Sequence, residues 1–217
     1  MRGQVTRRLR IGLSLYAAMT AAAVGLSRWR GAPLLAHPGG PETWAAALAR
    51  DTGLSTHVIS GALGLALALA TIASTELLVR RARWARALRT EFRAALEGAR
   101  SAELVALAVA SGTAEELLFR GALQPALGLW LTSLLFGAVH FVPSRALLPW
   151  ALWAALMGLL LGLVHAHTGS LVGAVVAHVV INAVNLQRIT RFDPGLDAAA
   201  PHTPPSLVPR RRTRSGR

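Results

Sequence analysis

The sequence predicts an all-α polytopic membrane bundle of about six transmembrane helices, and three observations carry that prediction. Of 217 residues 53% are hydrophobic and only 15% charged, with a mean hydropathy of +0.45. The apolar residues come in blocks approaching 20, long enough to cross a hydrocarbon layer of about 30 Å as helices. Aromatics make up 6% and alternating segments are few, which argues against a transmembrane barrel. The chain has 23 basic residues, all Arg, against 10 acidic ones, for a net charge of +13. These arginines gather beside the apolar blocks, a placement that points to anionic lipid headgroups as partners and not to nucleic acid. With no cysteine, neither disulfides nor thiolate chemistry enters.

The first span runs from about Ile11 to Leu26 behind Arg2, Arg7, Arg8 and Arg10. That layout also resembles a signal peptide, but the further spans favour an uncleaved first helix. A loop from Ser27 to Thr56, holding Pro33, Pro38 and Pro41, leads to a second span over about His57 to Val79. From Arg80 to Arg100, Trp84, Leu88, Phe92 and Leu96 recur every four residues while Arg86, Arg89 and Arg93 take other faces. This is the pattern of a basic amphipathic helix on a membrane surface, or equally of a solvated connector. The third span covers about Glu103 to Leu123 and ends near Gln124-Pro125, and the fourth covers about Leu129 to Val142. After the Pro143 to Leu148 loop come a fifth span to about Val164, a turn from His165 to Ser170, and a sixth span from Leu171 to about Gln187. Residues 1–100 thus hold two spans and the basic connector, 101–190 a four-span core, and 191–217 a Pro-rich basic tail expected to be disordered. Nineteen arginines flank the spans on one side and three on the other, so the positive-inside rule puts both termini in the cytoplasm.

Chemistry gathers in spans three, four and six. Glu115-Glu116-Leu117-Leu118-Phe119-Arg120 lies inside hydrocarbon-rich sequence, where a carboxylate must be paired, protonated or facing a wet cavity. On an α-helix Glu116 and Arg120 pair at i, i+4, which leaves Glu115 turned by about 100° and free. His140 shares a face with Phe136, and His178 with Asn182. The turn at Pro125 to Gly128 lies midway between Glu115 and His140, so a helical hairpin there sets these two level. With a rise of about 1.5 Å per residue both lie roughly 18 Å below the outer turn, and Asn182 lies roughly 16 Å deep. Buried polar groups at one depth are expected to face each other and not lipid. Taken alone, the residues admit an intramembrane hydrolase, a proton-coupled transporter, or a scaffold or immunity factor without catalysis. The missing internal repeat and the single polar layer count against transport.

Glu-Glu-Leu-Leu-Phe-Arg at 115–120, Phe-Gly-Ala-Val-His at 136–140 and His-Val-Val-Ile-Asn at 178–182 resemble the EExxxR, FxxxH and HxxxN motifs of the CPBP family. This is the family of type II CAAX prenyl endopeptidases and bacteriocin-processing proteins, also called Abi, and the likeness covers about Leu104 to Gln187. The resemblance implies intramembrane proteolysis of a peptide or protein substrate in the cell membrane. It assigns Glu115 as general base, His140 as the residue holding water with it, and His178 and Asn182 as donors to the oxyanion. Glu116 and Arg120 take positioning roles, with Arg120 open to meeting a substrate carboxylate. The favoured mechanism uses no cofactor, although Glu115, His140 and His178 could ligate zinc, as the metalloprotease label often given to the family suggests. His165 and His167 are expected in a solvated or interfacial turn, and Trp130, Trp150 and Trp153 as interfacial anchors.

Overall fold

A computed structural model describes residues 2–35, 43–143 and 147–191. The predicted disordered tail, His37, His202 and the Pro38–Pro41 part of the first loop lie outside these residues. The chain forms an all-α polytopic membrane bundle. Its elements are α1 (Arg2–Arg30), α2 (Trp44–Thr52), α3 (Thr56–Arg81), α4 (Arg83–Leu96), α5 (Ser101–Glu116), a π-helical segment (Leu117–Leu123), α6 (Gln124–Val139), α7 (Leu148–Thr168) and α8 (Val172–Arg191).

Five stretches of the described residues are long and apolar enough to cross a membrane, where the sequence predicts about six spans. The third and fourth predicted spans run on as one 39-residue helical stretch, Ser101–Val139. It is interrupted at Gly128, whose φ of 79° and ψ of 167° suit glycine and little else. A straight helix would set residues 115 and 140 about 37 Å apart. Their side chains lie 3.8 Å apart, so the stretch doubles back at Gly128 with almost no loop. Carbonyls orphaned near this reversal are taken up by Arg30, whose guanidinium donates to the Ala122 and Pro125 oxygens at 3.0 and 3.2 Å.

Helix ends follow local chemistry. Thr43 and Ser55 accept from the backbone N–H groups of Ala46 and Val58 and start α2 and α3, and Gly53 in the left-handed region ends α2. Helix α2 falls inside what the sequence predicts as loop. Glu103 starts α5 by accepting from the Arg100 backbone N–H at 2.8 Å. Helix α7 runs on to Thr168 and places His165 in its last turn with no exposed surface, so the solvated turn expected there is overturned for His165.

Side-chain contacts fix directions. α3 and α8 run parallel, with Ser60 against Gly173 at one end and Glu76 against Arg188 at the other. A Cβ on Gly64 would collide with the Gly173 backbone, so these two helices meet at a glycine pair. α5 runs antiparallel to α8, since His178 meets Glu116 and Asn182 meets Ser111. α7 lies antiparallel to α6, with Gln124 donating to the Gly162 oxygen while Gly137 rests on Ala155. Phe119, Phe136 and Ala154 form a small core directly beneath the polar layer.

Candidate active site

The first motif lies where the α-helix changes pitch. α5 ends at Glu116 and the chain continues through one π-helical stretch, Leu117–Leu123, where the sequence predicts unbroken α-helix. Such widened turns leave backbone groups to be satisfied from outside and recur at functional sites. The Glu116–Arg120 pair predicted from α-helical spacing forms across it, at 2.9 Å, with both side chains almost fully buried. Arg120 also donates to the Gly158 oxygen at 3.0 Å, and its guanidinium lies 4.3 Å from the Phe136 ring centre. Only 1% of its surface is exposed, and its guanidinium is engaged within the bundle.

Glu116 serves a second partner. The same carboxylate oxygen that holds Arg120 lies 2.6 Å from Nδ1 of His178, a short separation of the charge-assisted kind. This leaves Nε2 of His178 facing Glu115 at 3.9 Å. From the opposite side Nε2 of His140 faces the same Glu115 oxygen at 3.8 Å. His140 is the C-cap residue of α6 and not a mid-helix position, because the helix ends at Val139. Its Nδ1–H donates to the Phe136 carbonyl at 2.7 Å, which closes the helix end and fixes the tautomer that presents a bare Nε2.

Glu115 is therefore treated differently from its neighbour. Its Oε2 is buried and has no hydrogen-bond partner, while two imidazole nitrogens stand just beyond hydrogen-bonding distance. A water at about 2.8 Å from all three atoms fits that gap, with angles near 90° at its oxygen. Zinc ligated at about 2.0 Å by Oε2 and one of these nitrogens would subtend roughly 145° with His140 or roughly 155° with His178, against about 109° for tetrahedral coordination. Among the described residues no group of three or more His, Cys, Asp or Glu has metal-holding geometry. Zinc held by Glu115, His140 and His178 would need these separations to shorten by about 0.5 Å.

Asn182 joins the layer without touching Glu115. Its amide donates to Oγ of Ser111 at 3.0 Å, and Ser111 stands one helical turn before Glu115 on α5. Tyr16 of α1 faces Ser111 and lies within electrostatic range of Glu115. Sequence reasoning passed over both. Two signals were available, since Ser111 is i−4 to Glu115 and Tyr16 is the single tyrosine of the chain, in the middle of an apolar span. Close approach of α5 to α8 is set by Gly112, where a Cβ would stand 2.8 Å from Val179.

These groups open onto a cavity of about 350 Å³. Glu115, His140, His178 and Asn182 line it together with Leu88, Arg89, Phe92 and Leu96 of α4. Trp84, Leu88, Phe92 and Leu96 of the amphipathic stripe thus line this cavity, with Phe92 still 37% exposed. Trp150 lines the same space, 6.3 Å from the Phe92 ring and 5.7 Å from the His140 ring, centre to centre. Trp150 and Trp153 are cavity walls where interfacial anchors were expected, whereas Trp130 is 70% exposed on the outer surface of α6.

Residues 98–184, a window that contains all seven motif side chains, match the family profile described as type II CAAX prenyl endopeptidase, Rce1-like. An uncharacterized protein of Bacillus subtilis (strain 168), YpbD, is 47% identical over 73 residues, which are 33% of this chain and 37% of that protein. The chain thus spans little more than a third of the length of the curated relative it matches. No solved structure matches the chain significantly.

Proposed function

We propose that this multi-pass membrane chain, whose residues 98–184 belong to the Rce1-like family of type II CAAX prenyl endopeptidases, hydrolyses peptide bonds at Glu115. One observation carries the reading: a buried carboxylate oxygen without a hydrogen-bond partner, on a residue that lines a cavity, with two imidazoles spaced for a bridging water. Leaving such a group unpaired costs about 1–3 kcal/mol or more, a cost that a ligand or reactant would remove.

In this reading Glu115 takes a proton from the water as its oxygen attacks the carbonyl carbon, and His140 Nε2 accepts the water's other hydrogen and aims it. The carbonyl oxygen becomes an oxyanion. Its donors are the Asn182 amide, which exchanges Ser111 for substrate, and Nε2–H of His178 as an imidazolium. Glu116 at 2.6 Å supports that imidazolium, and Arg120 balances the second carboxylate, so the four charged groups sum to zero. When the tetrahedral intermediate collapses, the proton held by Glu115 passes to the departing amine.

The substrate class follows from the cavity. Its lining is largely Trp, Leu, Ile and Phe, which suits an apolar peptide segment entering from the α4 side. The Arg-rich ends of α3, α4 and α8 lie on that side, so the positive-inside rule sets it toward the cytoplasmic leaflet of the cell membrane.

The test is a comparison of membranes carrying wild-type and Glu115→Gln protein. A membrane-associated peptide or precursor should accumulate uncleaved with the variant. Full cellular function of Glu115→Gln would end the hydrolase reading. Chelator dialysis with elemental analysis decides the water mechanism separately, since stoichiometric zinc in active protein would replace it.

A further inference from the structure

A second groove, of about 380 Å³, lies on the outer side of the bundle between α3 and the end of α8. Its floor is a single helical stripe of α3, with Leu69, Ile72, Ala73 and Leu77 at the spacing that puts residues on one face. Leu69 and Leu77 are more than half exposed. The stripe ends in charge. Glu76 is approached by Arg89 Nη2 at 3.3 Å, Arg80 Nε at 3.6 Å and Arg188 Nη1 at 3.7 Å.

Arg80 and Arg188, the two guanidiniums that line the groove, share the carboxylate of Glu76, so its lining carries one positive charge in excess, and each guanidinium carries five N–H donors for a carboxylate with about four acceptor sites. The side chains of Arg80 and Arg188, which line the groove, are 73% and 42% exposed. From Leu69 to Arg80 the stripe measures about 16 Å. That is half of a hydrocarbon layer of about 30 Å, the reach of one leaflet. The charged end coincides with the end of α3 at Arg81, where the helix meets the headgroup region.

We propose that this groove holds one anionic glycerophospholipid, its phosphate on Arg80 and Arg188 and an acyl chain along the stripe from Leu77 to Leu69. The argument is one of charge and length. A net anionic headgroup lowers the groove's excess of positive charge, whereas a zwitterionic one brings an ammonium to a site already positive. The occupant ties together α3, α8 and, through Arg89 and Glu76, the α4 helix that walls the cavity. The site stands on its own geometry and is independent of whether Glu115 hydrolyses anything.

Native mass spectrometry of the full purified chain tests this, with phosphatidylglycerol, phosphatidylcholine and inorganic phosphate as separate probes. One phosphatidylglycerol should be retained per chain under conditions that strip phosphatidylcholine, and inorganic phosphate should give no comparable binding. Arg80→Gln with Arg188→Gln should weaken retention about 30-fold, from about 1 kcal/mol per arginine near the surface. Arg83→Gln with Arg191→Gln removes equal charge at the same end and should leave retention within about twofold. Ala73→Trp, which fills the stripe while keeping every arginine, should also abolish retention and covers the case in which the first pair fails to fold. Equal retention of both lipids, equal loss in both double variants, or unchanged binding in Ala73→Trp would overturn the proposal, and phosphate binding equal to that of the lipid would make this a free-anion site.

Discussion

Two polar clusters sit in this bundle, one at mid-depth on α5, α6 and α8 and one at the outer end between α3, α7 and α8. They differ in how their hydrogen bonds close. At the outer end Ser60 Oγ meets Thr168 Oγ1 at 2.9 Å, accepts from the Gly173 N–H at 3.0 Å and contacts the Ser170 oxygen, while His57 Nδ1 meets Ser170 Oγ at 2.8 Å. Every oxygen of Ser60, Thr168 and Ser170 that is buried has a partner. At mid-depth the bonds run as far as Glu116 and stop, leaving Oε2 of Glu115, Oε2 of Glu116 and Nε of Arg120 without one. A closed network holds helices together. An open one, in the same apolar surroundings, is a place for something else to bind.

The contrast can be broken by substitution, and Glu115→Gln is the strongest test. Peptidase activity should fall about 10²- to 10⁴-fold, the usual contribution of a general base. Thermal stability in detergent should stay at or above the wild-type value, because an unpaired buried carboxylate stabilises nothing; a large drop in melting temperature would show Glu115 to be structural. Asn182→Ala should come next, with kcat reduced about 10²- to 10³-fold if its amide serves the oxyanion. An unchanged kcat in single-turnover cleavage would return Asn182 to a helix-packing role with Ser111.

Arg120→Leu should act on folding first. Removing one partner of a buried pair leaves Glu116 uncompensated and costs about 3–5 kcal/mol. Adding Glu116→Gln should recover much of that loss in a denaturation assay without recovering cleavage, since His178 then lacks its carboxylate. Ser60→Ala should produce the smallest effect, about 1–3 kcal/mol of stability with activity per folded molecule unaltered. A selective loss of turnover in Ser60→Ala would dissolve the distinction between the two clusters.

Much of the mid-depth layer is legible in the sequence because helix geometry is regular. The i, i+4 pairing of Glu116 with Arg120 and the level placement of Glu115 and His140 need only a rise per residue and a turn near Pro125–Gly128. What stays hidden depends on departures from regularity and on tertiary packing. The π-helical stretch at Leu117–Leu123 has no signature in its Leu, Phe and Gly residues. Burial of Arg120 depends on the Gly158 carbonyl arriving from α7, and the inward turn of Trp84, Leu88, Phe92 and Leu96 depends on which neighbours α4 meets. An apolar stripe at helical spacing reports that something covers it, without saying whether lipid or protein does.

The near-loopless reversal at Gly128 has a consequence for how this chain can change. His140 is connected to Glu115 through two rigid arms and one hinge residue, so an insertion anywhere between 129 and 139 would rotate His140 by about 100° and carry it about 1.5 Å along the axis. That is enough to swing its Nε2 out of reach of Glu115. Length variation should be tolerated after His140, before the start of α7, but not before it. The separation between the first two motifs is a mechanical dimension of the molecule, as fixed as a bond length would be in a smaller catalyst.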